Sequence, residues 1–434
     1  MELKKQISRR QFVQTSAGVV AAGTLLGKRA FAAAKPIKIG YVSPETGALA
    51  PFGESDAFVV DSIKKLVQGG IQSGGTTRQI ELLVRDSQSS PNRAAEVAAE
   101  LIKKDRVDLM VSAGTPETVN PVADQCEINQ TPCVSTDDPW QSFFFSRGGK
   151  PDKGFDWTYH FFWGGEAVQK VFSEIIELVP SNKIVGILCG NDPDGILWSD
   201  KKIGAPPAFE AQGFKVIDPG RFVMTNPDFS AEVAAFKDAK ADVLFGNMPF
   251  PVFSNFWSQA AQQGFRPKIV AISKGLLMPS AIDSLGPRGK DLCTEVWWTN
   301  HHPFKSSLTG QSAMQLCEQF EAVTKKQWMQ ALGFRHALYE VALDVFKRVQ
   351  NPDSAASVID AVRNTKINTI VGPVQWLGTP PNEFTKIPVK NVCTTPLVGG
   401  QWVPGKKWMY DLVVTANKAY PLIAVQAKQV PVPA

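Results

Sequence analysis

Short β-branched runs alternate along this chain with stretches whose apolar residues recur at helical spacing, and that alternation restricts the fold more than any other feature. Residues 37–42 (Ile-Lys-Ile-Gly-Tyr-Val) are followed by a Gly- and Pro-rich turn and then by apolar residues at helical spacing over 58–67. Residues 80–84 read as the next strand. Ser90 then caps a helix with Pro91 in its first turn and Ala94, Ala98, Leu101 and Ile102 on one face, before a strand over 107–111. The rhythm resumes as helix 167–178, strand 184–189, helix 205–212, strand 215–217, helix 231–239, strand 243–245, helix 253–263 and strand 268–272. Residues 327–349 form the longest later helix candidate, and the region after Ile370 turns strand-like. Strands alternating with helices build parallel sheets covered on both faces, so the chain is expected to be α/β, with two Rossmann-like lobes. Ligands of such sheets bind beyond the carboxyl ends of the strands, which directs attention to the loops at 43–54, 112–120, 135–141, 190–195, 246–250 and 273–276.

The first 34 residues stand apart from this pattern. Ser8-Arg9-Arg10-Gln11-Phe12-Val13 precedes an apolar stretch too short to span a bilayer, then Lys28-Arg29 and an Ala-x-Ala ending. This reads as a twin-arginine export signal over 1–34, which implies a periplasmic protein. The segment holds six of the 46 Lys and Arg and one of the 41 Asp and Glu, so the remainder is formally neutral. That leaves no sustained positive face for nucleic acid or an anionic membrane surface. Six cysteines in so long a chain do not make a disulfide scaffold; Cys126 and Cys133 flank one short turn where either a bond or two free thiols would fit.

Signatures of catalysis and cofactors are missing. No Gly-x-Gly-x-x-Gly follows a strand, and there is no Walker loop and no Gly-x-Ser-x-Gly elbow. His301-His302 lacks neighbouring ligands of metal-site spacing, so no metal and no cofactor are expected. Asp137-Asp138 has the composition of an acid and base pair, but a cap or loop hydrogen bond explains it as well. Ser112, Thr115 and Thr118 have no base beside them in sequence. Of eleven tryptophans, Trp140, Trp163, Trp257, Trp297 and Trp298 fall in or beside the expected cleft loops, where rings give large contact area at low entropy cost.

The segments 37–54, 107–116 and 183–195, together with Asp86, the loop Asn191-Asp192-Pro193-Asp194-Gly195, Asp228-Phe229-Ser230 and Ala241-Asp242-Val243, resemble the type I periplasmic substrate-binding proteins of ABC transporters, in their leucine/isoleucine/valine-binding branch. The resemblance runs with gaps from about 36 to 403. It implies two lobes joined by three hinge crossings: lobe one as 36–160 plus 300–365, lobe two as 161–299 plus 366–410, and 411–434 as a tail. It also implies a non-enzymatic trap that closes on a small-molecule ligand and docks on permease and ATPase subunits. The family's pocket positions fall on Phe52, Thr115, Ser135, Asp137, Asp138, Asp194 and Phe250, with Trp163 added from its place beside the cleft. Lys274 stands where amino-acid binders carry a glutamate, so a small organic acid, with aromatic acids among the options, is expected over a branched-chain amino acid. Two other readings are an exported cofactor enzyme and a ligand-sensing lobe of a receptor.

Overall fold

The structure, a computed structural model, describes residues 34–433; the export-signal reading therefore lies outside the described residues, save Ala34. The chain first builds β1 (Ile37–Ser43), a small hairpin of β2 (Ile71–Ser73) and β3 (Thr76–Arg78), then β4 (Ile80–Asp86), β5 (Leu109–Ser112), β6 (Cys133–Ser135) and β7 (Thr158–Phe161). It crosses at residues 162–164 into a second set: β8 (Ile184–Cys189), β9 (Lys215–Ile217), β10 (Val243–Met248), β11 (Ile269–Lys274) and β12 (Cys293–Val296). After returning through three helices and the hairpin of β13 (Lys366–Thr369) and β14 (Gly372–Gln375), it adds β15 (Val392–Cys393), crosses again, and ends in β16 (Val398–Pro404) and β17 (Tyr410–Ala416).

The first sheet has the order β15-β7-β6-β5-β1-β4, and all its strands are parallel. The second has the order β17-β16-β12-β11-β10-β8-β9, parallel except for β16, which pairs antiparallel with both β12 and β17. The central strands are buried at every residue: β5, β6, β10 and β11 show no exposed position. Burial on both faces is what parallel sheets sandwiched between helices require. The helix Gly165–Glu177 illustrates the covering layer, with Val168, Val171, Phe172, Ile175 and Ile176 buried against the second sheet. Ser90 caps its helix through the Arg93 amide, as the sequence indicates.

Two features depart from the sequence-based division into lobes. β15 pairs with β7, so residues 392–393 belong to the first sheet and not to the second lobe. The segment set apart as a tail from 411 onward begins within β17, the edge strand of the second sheet, and stays packed on that lobe: Gln429 Nε2 donates to the Ile175 carbonyl at 2.8 Å, and the Val432 amide donates to the Lys268 carbonyl at 2.8 Å. The physical cause is the open edge of β16, which is satisfied by the next strand of the same chain. The long helix expected near 327–349 is present as Ala331–Arg348, buried almost all round, and it packs on the first sheet and on the helix Asp56–Leu66. Among the described residues no helix is long and apolar enough to cross a membrane.

Candidate functional site

The loops at the carboxyl ends of both sheets face each other across a cavity of about 30 Å³, large enough for little more than a water molecule. From the first sheet come Phe52, the Gly114-Thr115-Pro116 turn after β5 and Asp137 after β6. From the second come Asp194, Asn247, Ser273, Lys274 and Glu295. The crossings supply Phe162, Trp163 and Trp297. The rings form a continuous wall: Trp163 stacks on Trp198 with centroids 6.0 Å apart, Phe52 stacks on Trp297 at 6.2 Å, and Phe162 meets Trp297 edge-on at 5.1 Å.

Local chemistry explains why these side chains arrive here. Pro116 opens the helix Pro116–Ile128 with Thr115 at its N-cap, yet the Thr115 hydroxyl makes no cap bond and has no partner. Gly114 is at φ +133°, a backbone conformation open chiefly to glycine, and a Cβ there would lie 2.8 Å from the Pro44 ring. On the other side, Asp192 caps the short helix Pro193–Trp198 by accepting from the Gly195 amide at 2.7 Å, which fixes Asp194 and Trp198 one turn later. Ser273 Oγ accepts from Trp198 Nε1 and from Asn247 Nδ2, each at 3.1 Å, and donates to Glu295 Oε1 at 2.8 Å.

Lys274 occupies the centre, with its backbone in the left-handed region at φ +65°. Its ammonium donates to Asp194 Oδ2 at 3.1 Å, Asp192 Oδ2 at 3.2 Å and, across the cleft, Glu117 Oε1 at 3.3 Å. Burial opposes the charged form, but the Glu117, Asp194 and Asp192 carboxylates overcome it and hold the lysine well above its usual range. Reciprocally, burial raises the Glu117 carboxyl, and Lys274 outweighs this and holds it below its ordinary value. Asp194 is pushed up to about 7 by burial, against the pull of Lys274. The expectation that Lys274 offers an unengaged positive charge to a ligand carboxylate is therefore corrected: three carboxylates of the protein already engage it.

A second buried cluster lies behind the first-lobe wall. Arg335, fully buried within the helix Ala331–Arg348, donates through Nε to Asp56 at 2.9 Å, through Nη2 to the Phe52 carbonyl at 2.8 Å, and through Nη1 to Asp137. One side chain thus ties the Phe52 turn to the Asp137 loop. Burial pushes the Asp137 carboxyl up to about 6 although Arg335 pulls it down. Asp137 Oδ1 is left without a partner beside the cavity.

Of the residues singled out in sequence, Phe52, Thr115, Asp137, Trp163, Asp194 and Lys274 line this cavity, whereas Ser135, Asp138 and Phe250 do not. The Ser135 hydroxyl is held by His160 Nδ1 at 2.9 Å, since His160 Nε2 donates to the Asp138 carbonyl and burial depresses that imidazole to about 3, keeping it neutral. Asp138 is wholly buried, with its carboxyl driven well above the ordinary range by burial and by the charges of Asp194 and Glu117. Phe250 begins the helix Phe250–Gln262 and packs on the core, so Asn247 takes the strand-end place in the cavity wall. Asn247 and Ser273 lie within the loops 246–250 and 273–276 without being singled out there, and Glu295 lies outside every loop the sequence pointed to. Their signal is polarity at the ends of otherwise apolar strands, as in Cys293-Thr294-Glu295-Val296. A wider depression of about 510 Å³ lies between Trp140, Glu166 and residues 379–383. Among the described residues no group of His, Cys, Asp and Glu is arranged to hold a metal ion, and Cys126 and Cys133 are buried free thiols.

The family model described as periplasmic binding protein matches residues 36–385. The chain belongs to the periplasmic binding protein family. Its solved relatives include the branched-chain amino acid transporter substrate-binding protein LivJ from Streptococcus pneumoniae, in complex with isoleucine (15% identity, TM-score 0.66, covering 87% of this chain and 99% of that one). A solute-binding protein from Rhodopseudomonas palustris in complex with 4-hydroxybenzoate is 18% identical, with a TM-score of 0.67 over 87% of this chain and 95% of that one. Another from Rhodopseudomonas palustris BisB5, in complex with 3,4-dihydroxybenzoic acid, is 16% identical, with a TM-score of 0.67 over 92% and 99%. No curated protein matches the chain. Two parallel-sheet lobes joined by three crossings are the architecture of these non-enzymatic ABC transporter substrate-binding proteins, and the family is periplasmic or extracytoplasmic. The cofactor-enzyme reading is thereby set aside.

Proposed function

We propose that this protein is the extracytoplasmic solute-binding component of an ABC importer, that it traps a small hydroxylated or amino-bearing organic acid between its lobes, and that twin-arginine export delivers it there. The observation that carries the ligand reading is the set of buried polar atoms without partners around the cavity. On lobe one the Thr115 hydroxyl makes no cap bond at a helix N-terminus, where an anion is favoured. Opposite it, Asp194 Oδ1 and Asn247 Oδ1 lack donors; on lobe one Asp137 Oδ1 does too. Buried polar atoms cost free energy until they are paired. A ligand with a carboxylate at one end, a flat body between Phe52, Trp163, Trp198 and Trp297, and a hydroxyl or amine at the other end would satisfy both sets. Aromatic hydroxy acids have that form, in keeping with the aromatic acids bound by two of the structural relatives. The 30 Å³ cavity is too small for such a body, so binding goes with separation of the lobes, followed by closure and docking on permease subunits.

A thermal-shift screen of the chain lacking residues 1–34 tests the reading, with aromatic hydroxy acids, dicarboxylates and amino acids as probes. Ligand at a hundred times its dissociation constant adds about 2.7 kcal/mol of stability. Stabilisation by aromatic hydroxy acids supports it; silence across all three classes removes it. The export route is tested separately by replacing Arg9-Arg10 with Lys-Lys, which should abolish delivery if the twin-arginine pathway is used.

A further inference from the structure

We propose that the Lys274 ammonium fills from within a binding box built for a primary ammonium, so that the cleft selects solutes lacking an amino group beside this box, and that removing the lysine side chain opens the box to external amines. This rests on the cleft being the solute site and narrows its substrate class within the proposal above to the hydroxy acids. A primary ammonium has three N–H donors and no acceptor. Around Lys274 Nζ stand three carboxylate oxygens, from Asp194, Asp192 and Glu117, all between 3.1 and 3.3 Å. The three donors and three acceptors match one to one.

The box is made from both lobes. Glu117 lies in the first turn of the helix Pro116–Ile128, which packs on the first sheet, while Asp192 and Asp194 belong to the loop and helix after β8 in the second. Acidic side chains alone would not make a site. Here an ammonium occupies it, and Asp194, which is 5% exposed and lines the cavity, keeps Oδ1 without a partner. The lysine reaches the box from a strained left-handed backbone at φ +65°, an uncommon conformation for a residue with a Cβ. With the side chain in place, a ligand ammonium beside the box meets a like charge in a desolvated cleft, which is strongly disfavoured. Without it, the three carboxylate oxygens lose their shared donor and face the space that the lysine side chain vacates.

The experiment is a thermal-shift titration of wild type and Lys274→Ala with methylammonium and ethylammonium, using potassium and tetramethylammonium at equal ionic strength as controls. The expected result is a saturable rise in Tm of about 3 °C for Lys274→Ala with the primary amines only. Wild type should show no such rise, and adding Asp194→Asn to Lys274→Ala should weaken the amine response at least tenfold. No response of folded Lys274→Ala, or an equal response to potassium or tetramethylammonium, overturns the inference. If Lys274→Ala does not fold in plain buffer, refolding it with methylammonium decides: recovery with the amine and not with potassium supports the box, and no recovery overturns it. The two readings fail separately. Amine rescue in a protein that binds no solute as wild type would leave the box and remove the transport reading. Wild type stabilised by leucine-like amino acids would keep the solute trap and overturn the exclusion.

Discussion

Replacing Arg335 with methionine removes the cation shared by Asp56 and Asp137 while keeping much of the side-chain volume. Breaking a buried ion pair by deleting one partner costs about 3–5 kcal/mol, because a desolvated charge is left behind. Two carboxylates and the Phe52 carbonyl lose donors here, but the carboxylates can escape part of the cost by taking up protons. Burial already pushes Asp137 up to about 6 and raises Asp56, in both cases with Arg335 pulling the other way. Without Arg335 both rise further, and holding one carboxyl protonated at pH 7 costs about 1.4 kcal/mol for each unit between its ordinary value and that pH. A loss of about 3–5 kcal/mol at pH 7 is therefore expected. The sign of its pH dependence follows from proton counting. Between about pH 4 and pH 7 the folded variant holds protons that the unfolded chain has released, so its stability rises as pH falls, by up to about 1.4 kcal/mol per unit for each carboxyl. In wild type Asp137 makes this gain only as pH falls through about 6, so the deficit of the variant narrows from pH 7 to pH 5. The buried neutral histidines His160, His302 and His336, depressed to about 3, 3 and 4 by burial, act alike in both proteins and cancel from the difference. Guanidinium unfolding followed by tryptophan fluorescence at the two pH values measures it. A loss below about 1 kcal/mol at pH 7, or a loss unchanged at pH 5, refutes the reasoning.

Thr115→Ala removes the partnerless hydroxyl at the helix N-terminus and should weaken ligand binding about tenfold with little change in Tm, as read by isothermal titration with whichever acid the screen identifies. Gly333→Ala places a Cβ 2.4 Å from the Trp298 ring, so the variant should lose about 1–3 kcal/mol in chemical denaturation; an unchanged midpoint would mean that the ring can move aside. All six cysteines are buried and unbridged, so unreduced protein should titrate six thiols in denaturant and essentially none when native; four thiols would indicate a Cys126–Cys133 bond.

Much of this protein is written locally. The period of the apolar residues and Pro91 behind Ser90 mark helices that depend on neighbours a few positions away, and the structure has them there; Pro193 behind Asp192 carries the same signal for a short helix in a segment read as a loop. The rule that ligand loops follow parallel strands led from sequence to the loops that meet at the cavity, because strand order places them on one edge whatever the side chains, and the family resemblance singled out Phe52, Thr115, Asp137, Asp194 and Lys274 within them. The misplacements came from positions where one residue of slip changes the facing: Ser135 turns to His160 on the neighbouring strand, and the chain is already helical at Phe250.

What the sequence by itself determined is the α/β architecture, the division into two sheets and the segments that meet between them. Only the tertiary structure decided the partners of the buried charges. Lys274 reads alone as a free cation, and becomes an internally paired one through Glu117, 157 residues earlier, and Asp192 and Asp194, 82 and 80 residues earlier. Arg335 looks like an interruption in an apolar helix until Asp56, 279 residues away, and Asp137 close around it. Helix and strand signals are short-ranged because they arise from backbone hydrogen bonds and side-chain periodicity. The state of a buried charge depends on whichever opposite charges the fold brings within about 4 Å, and spacing along the chain carries no record of that distance.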